Sequence, residues 1–186
     1  IRVYNGDLYV SVNFTSGNAL VYNSNGTLFT TLNLTSTKNS GLVKYDKFGM
    51  AKWAHVIGTS GSSINNLVIN DIGIYICGSF NSSTLDIKNF DDTTFTTFNK
   101  TSVVANDTDG FVAHYSFNGK VIWATSFSNT NNQAIGLDVD GVDVYTSGDY
   151  TTGNITTSLP PGQNSKSVSL GAGGNHSSYL TKYKIS

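Results

Sequence analysis

Apolar and polar residues alternate in short runs along this chain, and turn-forming dipeptides separate the runs. Around Asp140-Gly141, a dipeptide that accepts positive φ, the apolar positions are Leu137, Val139, Val142 and Val144. Alternation with a period of two turns one side of each segment to a core and the other to solvent, so the pattern predicts antiparallel β-hairpins. Asn5-Gly6 and Asp71-Ile72 stand at the equivalent turns without the acids, so Asp138 to Asp143 reads as a turn. A calcium loop would need more oxygen ligands at fixed spacing, and Asn106-Asp107-Thr108-Asp109-Gly110 is the better calcium candidate.

The hairpins recur with a period near 70 residues. Leu67 to Phe80 aligns without a gap with Leu137 to Tyr150 and with Ile1 to Phe14, which superposes Tyr9, Tyr75 and Tyr145. Leu42 to Ala54 lies over Val112 to Ala124, superposing Tyr45 with Tyr115 and Trp53 with Trp123, and its first half returns as Leu180 to Ser186. Phe29 to Thr35 repeats as Phe95 to Thr101. Every repeat must bury an equivalent apolar face against its neighbour, so these tyrosines and tryptophans read as core and not as sugar-stacking rings.

The motif Val-x-Gly-x-x-x-Tyr-x-Ser-Gly-x-Tyr (Val139 to Tyr150), a polar hairpin with Phe-x-x-x-Asn-x-Thr, and Phe-Val-x-x-Tyr-x-x-x-Gly-x-x-x-Trp-Ala all occur here. Together they resemble the SBBP-type β-propeller repeat over nearly the whole chain. The resemblance implies four-stranded blades in a secreted or cell-surface protein, with no shared catalytic residues. The repeats are longer than usual blades, and the segment with Pro160-Pro161-Gly162 departs from the pattern. The expected fold is all-β: about three four-stranded, propeller-like blades in a single domain over 1–186, with a partial repeat at 1–48 and repeats at 49–118 and 119–186.

Ser186 aligns with Phe48 and Ile1 with Leu67, so the chain equals three repeats less the counterpart of Gly49 to Asn66, the Trp-bearing strand. This phasing, with Ile1 in place of Met, leads us to expect a processed or internal piece. It also leads us to expect an open sheet edge that recruits another strand.

Composition narrows the chemistry. All 12 acidic residues are Asp, which excludes mechanisms that need Glu, and Arg2 is the single arginine in a chain of net charge −1. No basic stripe is available for nucleic acid, and no apolar run is long enough for a membrane span. Cys77 aligns with Ser11 and Ser147 and reads as a small strand residue. His55, His114 and His176 lack ligand-spaced partners. His55 aligns with Thr125 and His114 with Lys44 and Lys182, which predicts surface positions. Asp91-Asp92 reads as a solvated turn, and Gly171 to Gly174 as a flexible connection.

No catalytic, cofactor-binding or metal-binding residue is therefore expected, and no enzyme. N-x-S/T triplets at Asn13, Asn25, Asn33, Asn81, Asn99, Asn106, Asn154 and Asn175 are candidate N-glycosylation sites, with Asn33 and Asn99 at matching repeat positions. The expected function is an extracellular or cell-surface structural glycoprotein, a filament or array subunit assembled by strand or edge complementation between copies. Its expected partners are copies of itself, with glycan ligands as a further class and covalent N-glycans as its modification. The alternative is an extracellular carbohydrate- or protein-binding propeller module.

Overall fold

The computed structural model describes residues 1–35, 37–58, 61–101, 104, 106–128, 131–151, 156–157, 164–170 and 177–184. Every regular element among them is a strand. In chain order these are β1 (Arg2–Tyr4), β2 (Asp7–Phe14), β3 (Ala19–Tyr22), β4 (Leu28–Leu32), β5 (Asn39–Tyr45) and β6 (Ala51–Ile57). Then follow β7 (Ser62–Asn70), β8 (Gly73–Phe80), β9 (Thr84–Lys88), β10 (Thr94–Asn99), β11 (Asp109–Tyr115) and β12 (Val121–Ser128). The remainder are β13 (Asn132–Asp140), β14 (Asp143–Tyr150), β15 (Thr156–Thr157), β16 (Asn164–Leu170) and β17 (Ser177–Lys184). No helix among the described residues is long and apolar enough to cross a membrane.

All ladders are antiparallel. Sheet 1 has the order β1-β2-β5-β6, sheet 2 the order β7-β8-β11-β12 with β15 added outside β12, and sheet 3 the order β13-β14-β17-β16. The hairpins β3–β4 and β9–β10 form two-stranded sheets of their own. The repeat boundaries at 48 and 118 fall in the turns between β5 and β6 and between β11 and β12, so they cut the repeat and not the turn-to-turn order of the strands.

Local chemistry explains the shared pattern. The β5–β6 and β11–β12 turns carry Gly49 and Gly119 at φ 77° and 80°, a region costly for a side chain. The Gly of the Tyr-x-Ser-Gly motif answers a bulge in the facing strand: the β7–β8 register slips between Ile64 and Asn66, and the β13–β14 register between Ala134 and Gly136. A Cβ on Gly78 would stand 1.9 Å from the Ser63 carbonyl oxygen, and one on Gly148 would stand 1.9 Å from that of Gln133. Sheet 1 has only the short β1 at this place, and Val12 takes the glycine position.

Each hairpin is tied to its sheet by one asparagine that the motif comparison missed. Asn23 Oδ1 accepts from the Ala51 amide at 2.9 Å and its Nδ2 donates to Thr27 Oγ1; Asn89 does the same with the Val121 amide at 2.8 Å and Thr93 Oγ1. The Asn-x-x-x-Thr spacing, present in both hairpins, was the available signal.

Sheet 2 lies between the other two. Tyr9, Leu42, Trp53 and Ile57 of sheet 1 pack on Ile74, Ile76, Phe111 and Tyr115 of sheet 2. The opposite face of sheet 2, with Tyr75, Cys77, Val112, Trp123 and Phe127, packs on Val144, Tyr179 and Tyr183 of sheet 3. This is face-to-face stacking of small twisted sheets, the packing expected of propeller-like blades.

Three expectations are corrected. Val142 is 42% exposed, because it sits in the β13–β14 turn beyond the packed part of the hairpin. Tyr45 and Tyr145 are half-buried, because they lie on the two outward faces of the three-sheet stack. The β17 edge is not open: β16 pairs with it from Asn164↔Lys184 to Leu170↔Ser178, in the slot that the Trp-bearing β6 fills in sheet 1. Unpaired edge groups are satisfied by the nearest strand of the same chain. Asn154, Pro160-Pro161-Gly162, Gly171 to Gly174, Asn175, His176 and Ser186 lie outside the described residues.

Candidate interaction site

The repeated aromatic residues converge on the two sheet-to-sheet interfaces. Between sheets 1 and 2, the Tyr9 and Trp53 rings lie 6.4 Å apart, and Trp53 Nε1 donates to the Phe117 carbonyl at 3.2 Å. Tyr4 stacks on Phe117 at 5.0 Å. Between sheets 2 and 3, Trp123 lies 5.8 Å from Tyr183, and Phe127 lies 5.2 Å from Tyr179. Polar clamps cross the same seams. Asn13 Nδ2 donates to the Ile64 carbonyl and its Oδ1 accepts from the Ile64 amide, both at 2.9 Å; Asn65 Nδ2 donates to the Ala134 carbonyl at 2.8 Å.

His55 and His114 are not surface residues; they are 2% and 1% exposed. His55 has the parity of Trp53 and Ile57 on β6, and Thr125 has that of Trp123 and Phe127 on β12. Alignment with a small or charged residue thus reported tolerance within an interface and not contact with solvent. The His55 ring sits 5.7 Å from Trp53 and 5.6 Å from Tyr115, and neither ring nitrogen has a hydrogen-bond partner. Burial pushes it down to about 4, with Asp91 opposing this slightly and Lys88 reinforcing it. His114 stacks on Tyr75 at 4.2 Å, and burial takes it down to about 4 as well. The Ile72 backbone lies near enough to oppose that shift in part, although no hydrogen bond closes on either nitrogen. Cys77, fully buried between sheets 2 and 3, is pushed up to about 12 by the same desolvation.

Lys44, His114 and Lys182 hold one position across the strand from the recurrent tyrosine, in the pairs Tyr9↔Lys44, Tyr75↔His114 and Tyr145↔Lys182. Both lysines lie over their tyrosine rings at 5.2 Å and bond an aspartate two residues before that tyrosine, Asp7 at 2.8 Å and Asp143 at 2.5 Å. In sheet 2 the aspartate position is Gly73, where a Cβ would stand 2.5 Å from His114 Nε2. The Asp–Lys pair is exchanged as a unit for Gly–His.

The six described sequon asparagines, Asn13, Asn25, Asn33, Asn81, Asn99 and Asn106, are all exposed. The amide of Asn13 is committed to Ile64, whereas Asn25 engages Thr27 through Oδ1 alone. The recurrent threonines of Asn33-x-Thr35 and Asn99-x-Thr101 have a structural task. Asn39 Nδ2 donates to Thr35 Oγ1 at 2.9 Å, and the Thr101 amide donates to Asp109 Oδ2 at 2.8 Å. Asp109, from the calcium candidate, is thus turned inward, and burial raises its carboxyl above the usual range. Among the described residues no three His, Cys, Asp or Glu side chains cluster as metal ligands.

One cleft, of about 280 Å³, follows the outer edge of β6. Ala54, His55, Val56 and Gly58 all line it, and because consecutive side chains alternate between faces, they meet in one cleft only along the strand edge. Thr30, Thr31, Leu32 and Asn33 of the first hairpin form one wall, and Lys88 and Asp92 of the second form the other.

No family model matches the chain, so nothing beyond the motif itself supports the SBBP-type resemblance. An uncharacterized WD repeat-containing protein, L264, of Acanthamoeba polyphaga mimivirus is 34% identical over 116 residues. That stretch is 60% of this chain and 8% of the relative, so the chain spans a small part of its length. The chain is similar over this stretch to a WD-repeat protein, and its small antiparallel sheets are consistent with propeller-like blades.

Proposed function

We propose that this chain is a non-enzymatic, extracellular structural glycoprotein of propeller type, whose copies associate by adding strands to one another's sheets. One observation carries this reading: outer strands of this fold accept additional strands. β15 adds to β12 in the register Phe127↔Thr157 and Ser128↔Thr156, and β16 adds to β17. By the alignment of Trp53 with Trp123, Ile57 and Gly58 are the counterparts of Phe127 and Ser128, and among the described residues β6 has no strand on that side. The Thr156–Thr157 stretch of a second copy is the segment with a demonstrated partner at this repeat position. An extended peptide laid along β6 would take its affinity from main-chain hydrogen bonds. Exposed sequons support a secretory setting, and association through β6 requires Asn33, at the cleft wall, to stay bare while the other sequons carry the glycans.

The test is a labelled peptide spanning residues 151–159. Saturable binding, with slowed amide exchange confined to Ala54 to Gly58, is the expected result, and a peptide with both threonines replaced by proline should not bind. Absence of binding at millimolar peptide would refute strand addition. A second reading is favoured by the polar walls of the cleft, which suit a small glycan. Retention of an oligosaccharide that the peptide does not displace would move the function there.

A further inference from the structure

On its two central strands the exposed face of sheet 3 repeats the face with which sheet 1 holds sheet 2; the outer strand differs, since β6 brings Trp53 and Ile57 and β16 carries neither residue type. On sheet 1 that face carries Asp7, Tyr9, Ser11, Leu42 and Lys44; on sheet 3 the aligned residues are Asp143, Tyr145, Ser147, Leu180 and Lys182. The pairings coincide, with Ser11↔Leu42 matched by Ser147↔Leu180 and Tyr9↔Lys44 by Tyr145↔Lys182. The local geometry coincides too: each lysine bonds its aspartate and lies 5.2 Å from its tyrosine ring. What differs is cover. Leu42 is 0% exposed and Leu180 43%; the lysine side chains are 16% and 43% exposed. The difference between identical residues measures what sheet 2 covers on sheet 1 and what none of the described residues covers on sheet 3.

The complementary surface is also present once too often. Sheet 2 meets sheet 1 through Ile74, Ile76, Ala113 and Tyr115, and the aligned residues Leu8, Val10, Val43 and Tyr45 lie on the outward side of sheet 1. There Val43 is buried and Val10 and Tyr45 are partly buried against the first hairpin's Val21 and Leu32, much as the second hairpin's Leu85 and Ile87 pack beside the corresponding face of sheet 2 while sheet 1 also covers it. This is why Tyr45 and Tyr145 are half-buried while Tyr9, Tyr75 and Tyr115 are not: they sit on the two end faces of the stack.

We infer that the outward face of sheet 3 binds the outward face of sheet 1 in a second copy, head to tail. The inference rests on the reading that copies associate, but it uses a sheet face where strand addition uses an edge. Two different surfaces are joined, so the contact is heterologous and open-ended.

Sedimentation equilibrium of the wild-type chain and two single variants tests it. Leu180→Asp spoils the sheet 3 face at an exposed position, and Tyr45→Asp spoils the sheet 1 face; Ser147→Arg and Val10→Glu are second choices should either melt early by circular dichroism. The wild type is expected to form oligomers that lengthen with concentration. Carried in a Thr156→Pro, Thr157→Pro background, which cannot add a strand to β6, each variant alone is expected to stay monomeric, with association weakened at least 100-fold, while their equimolar mixture gives one-to-one dimers through the intact faces. Wild-type behaviour in Leu180→Asp would overturn the face contact and leave strand addition standing. Dimers of Tyr45→Asp alone would mean that sheet 3 pairs with itself, and would also overturn it. A wild type that stays monomeric at 500 μM while the 151–159 peptide binds β6 would refute the face contact alone.

Discussion

Lowering the pH from 7.5 to 4.5 is expected to loosen both sheet interfaces, because each buries a neutral imidazole. His55 lies between Trp53 and Tyr115 with no acceptor for a second proton, and desolvation holds it near 4 against an ordinary 6.5. Above 6.5 the ring is neutral whether the chain is folded or unfolded, and its contribution is complete. Between 6.5 and 4 the unfolded chain takes up a proton that the folded chain refuses, so stability falls. Below 4 both forms are protonated and the loss levels off. A gap of about 2.5 pH units at about 1.4 kcal/mol each amounts to about 3.5 kcal/mol in full, of which about 2.5 kcal/mol is lost by pH 4.5. His114, on Tyr75, contributes with the same sign. That is a large part of the roughly 5–15 kcal/mol that holds an ordinary domain together. Asp109 works in the opposite sense, since its raised carboxyl favours the protonated fold. The measure is therefore a difference: urea midpoints followed by the fluorescence of Trp53 and Trp123, for the wild type and for His55→Thr with His114→Gln. Thr is the residue that the repeat itself places opposite His55. The wild type should lose about 3 kcal/mol or more relative to the double variant over this range. Parallel stability curves would show that the imidazoles are not held neutral by the interfaces.

Three further outcomes follow from single contacts. Trp53→Ala should cost about 3–5 kcal/mol by opening the first interface, whereas Trp53→Phe should cost only about 1–2, chiefly the bond to the Phe117 carbonyl; thermal or urea unfolding reads both. Gly78→Ala should cost about 1–3 kcal/mol in the same assay, because its methyl would collide with the Ser63 carbonyl at the bulge. Asn13→Asp should cost about 1–3 kcal/mol by removing the donor to the Ile64 carbonyl. When the chain is secreted from a glycosylating cell, peptide mapping should find Asn25 modified and Asn13 bare; a modified Asn13 would show that this clamp does not form during synthesis.

The alternation of apolar residues and the period near 70 made the strands, their antiparallel pairing and the aromatic seams legible before any coordinates. Parity along a strand would also have placed His55 with Trp53 and Ile57, had it been weighed above the exchange with Thr125. Other features depend on what stands across from a residue. Tyr9 and Tyr145 occupy the same repeat position, yet one is sealed and the other is half-open, because among the described residues sheet 1 has a neighbour on that face and sheet 3 has none. Likewise Gly78 and Gly148 look like turn punctuation until the bulged strands β7 and β13 are seen against them. The pairing of β16 with β17 had no signal in the repeat, since β3–β4 and β9–β10, the other described hairpins at this repeat position, pair within themselves.

The exchange of Asp7–Lys44 for Gly73–His114 shows how a repeat adapts one position to different surroundings. An ammonium needs its carboxylate, and the pair keeps one edge near water; in the drier second interface, flanked by Trp123, a neutral ring stacked on Tyr75 needs neither. Sheet 3 carries the Asp–Lys version with Leu180 and Ser147 beside it, which is the version that in sheet 1 is compatible with a packed neighbour. A surface meant only for solvent has no requirement for that apolar leucine or for a tyrosine under the lysine. Their retention together argues that this end of the stack is built to be covered.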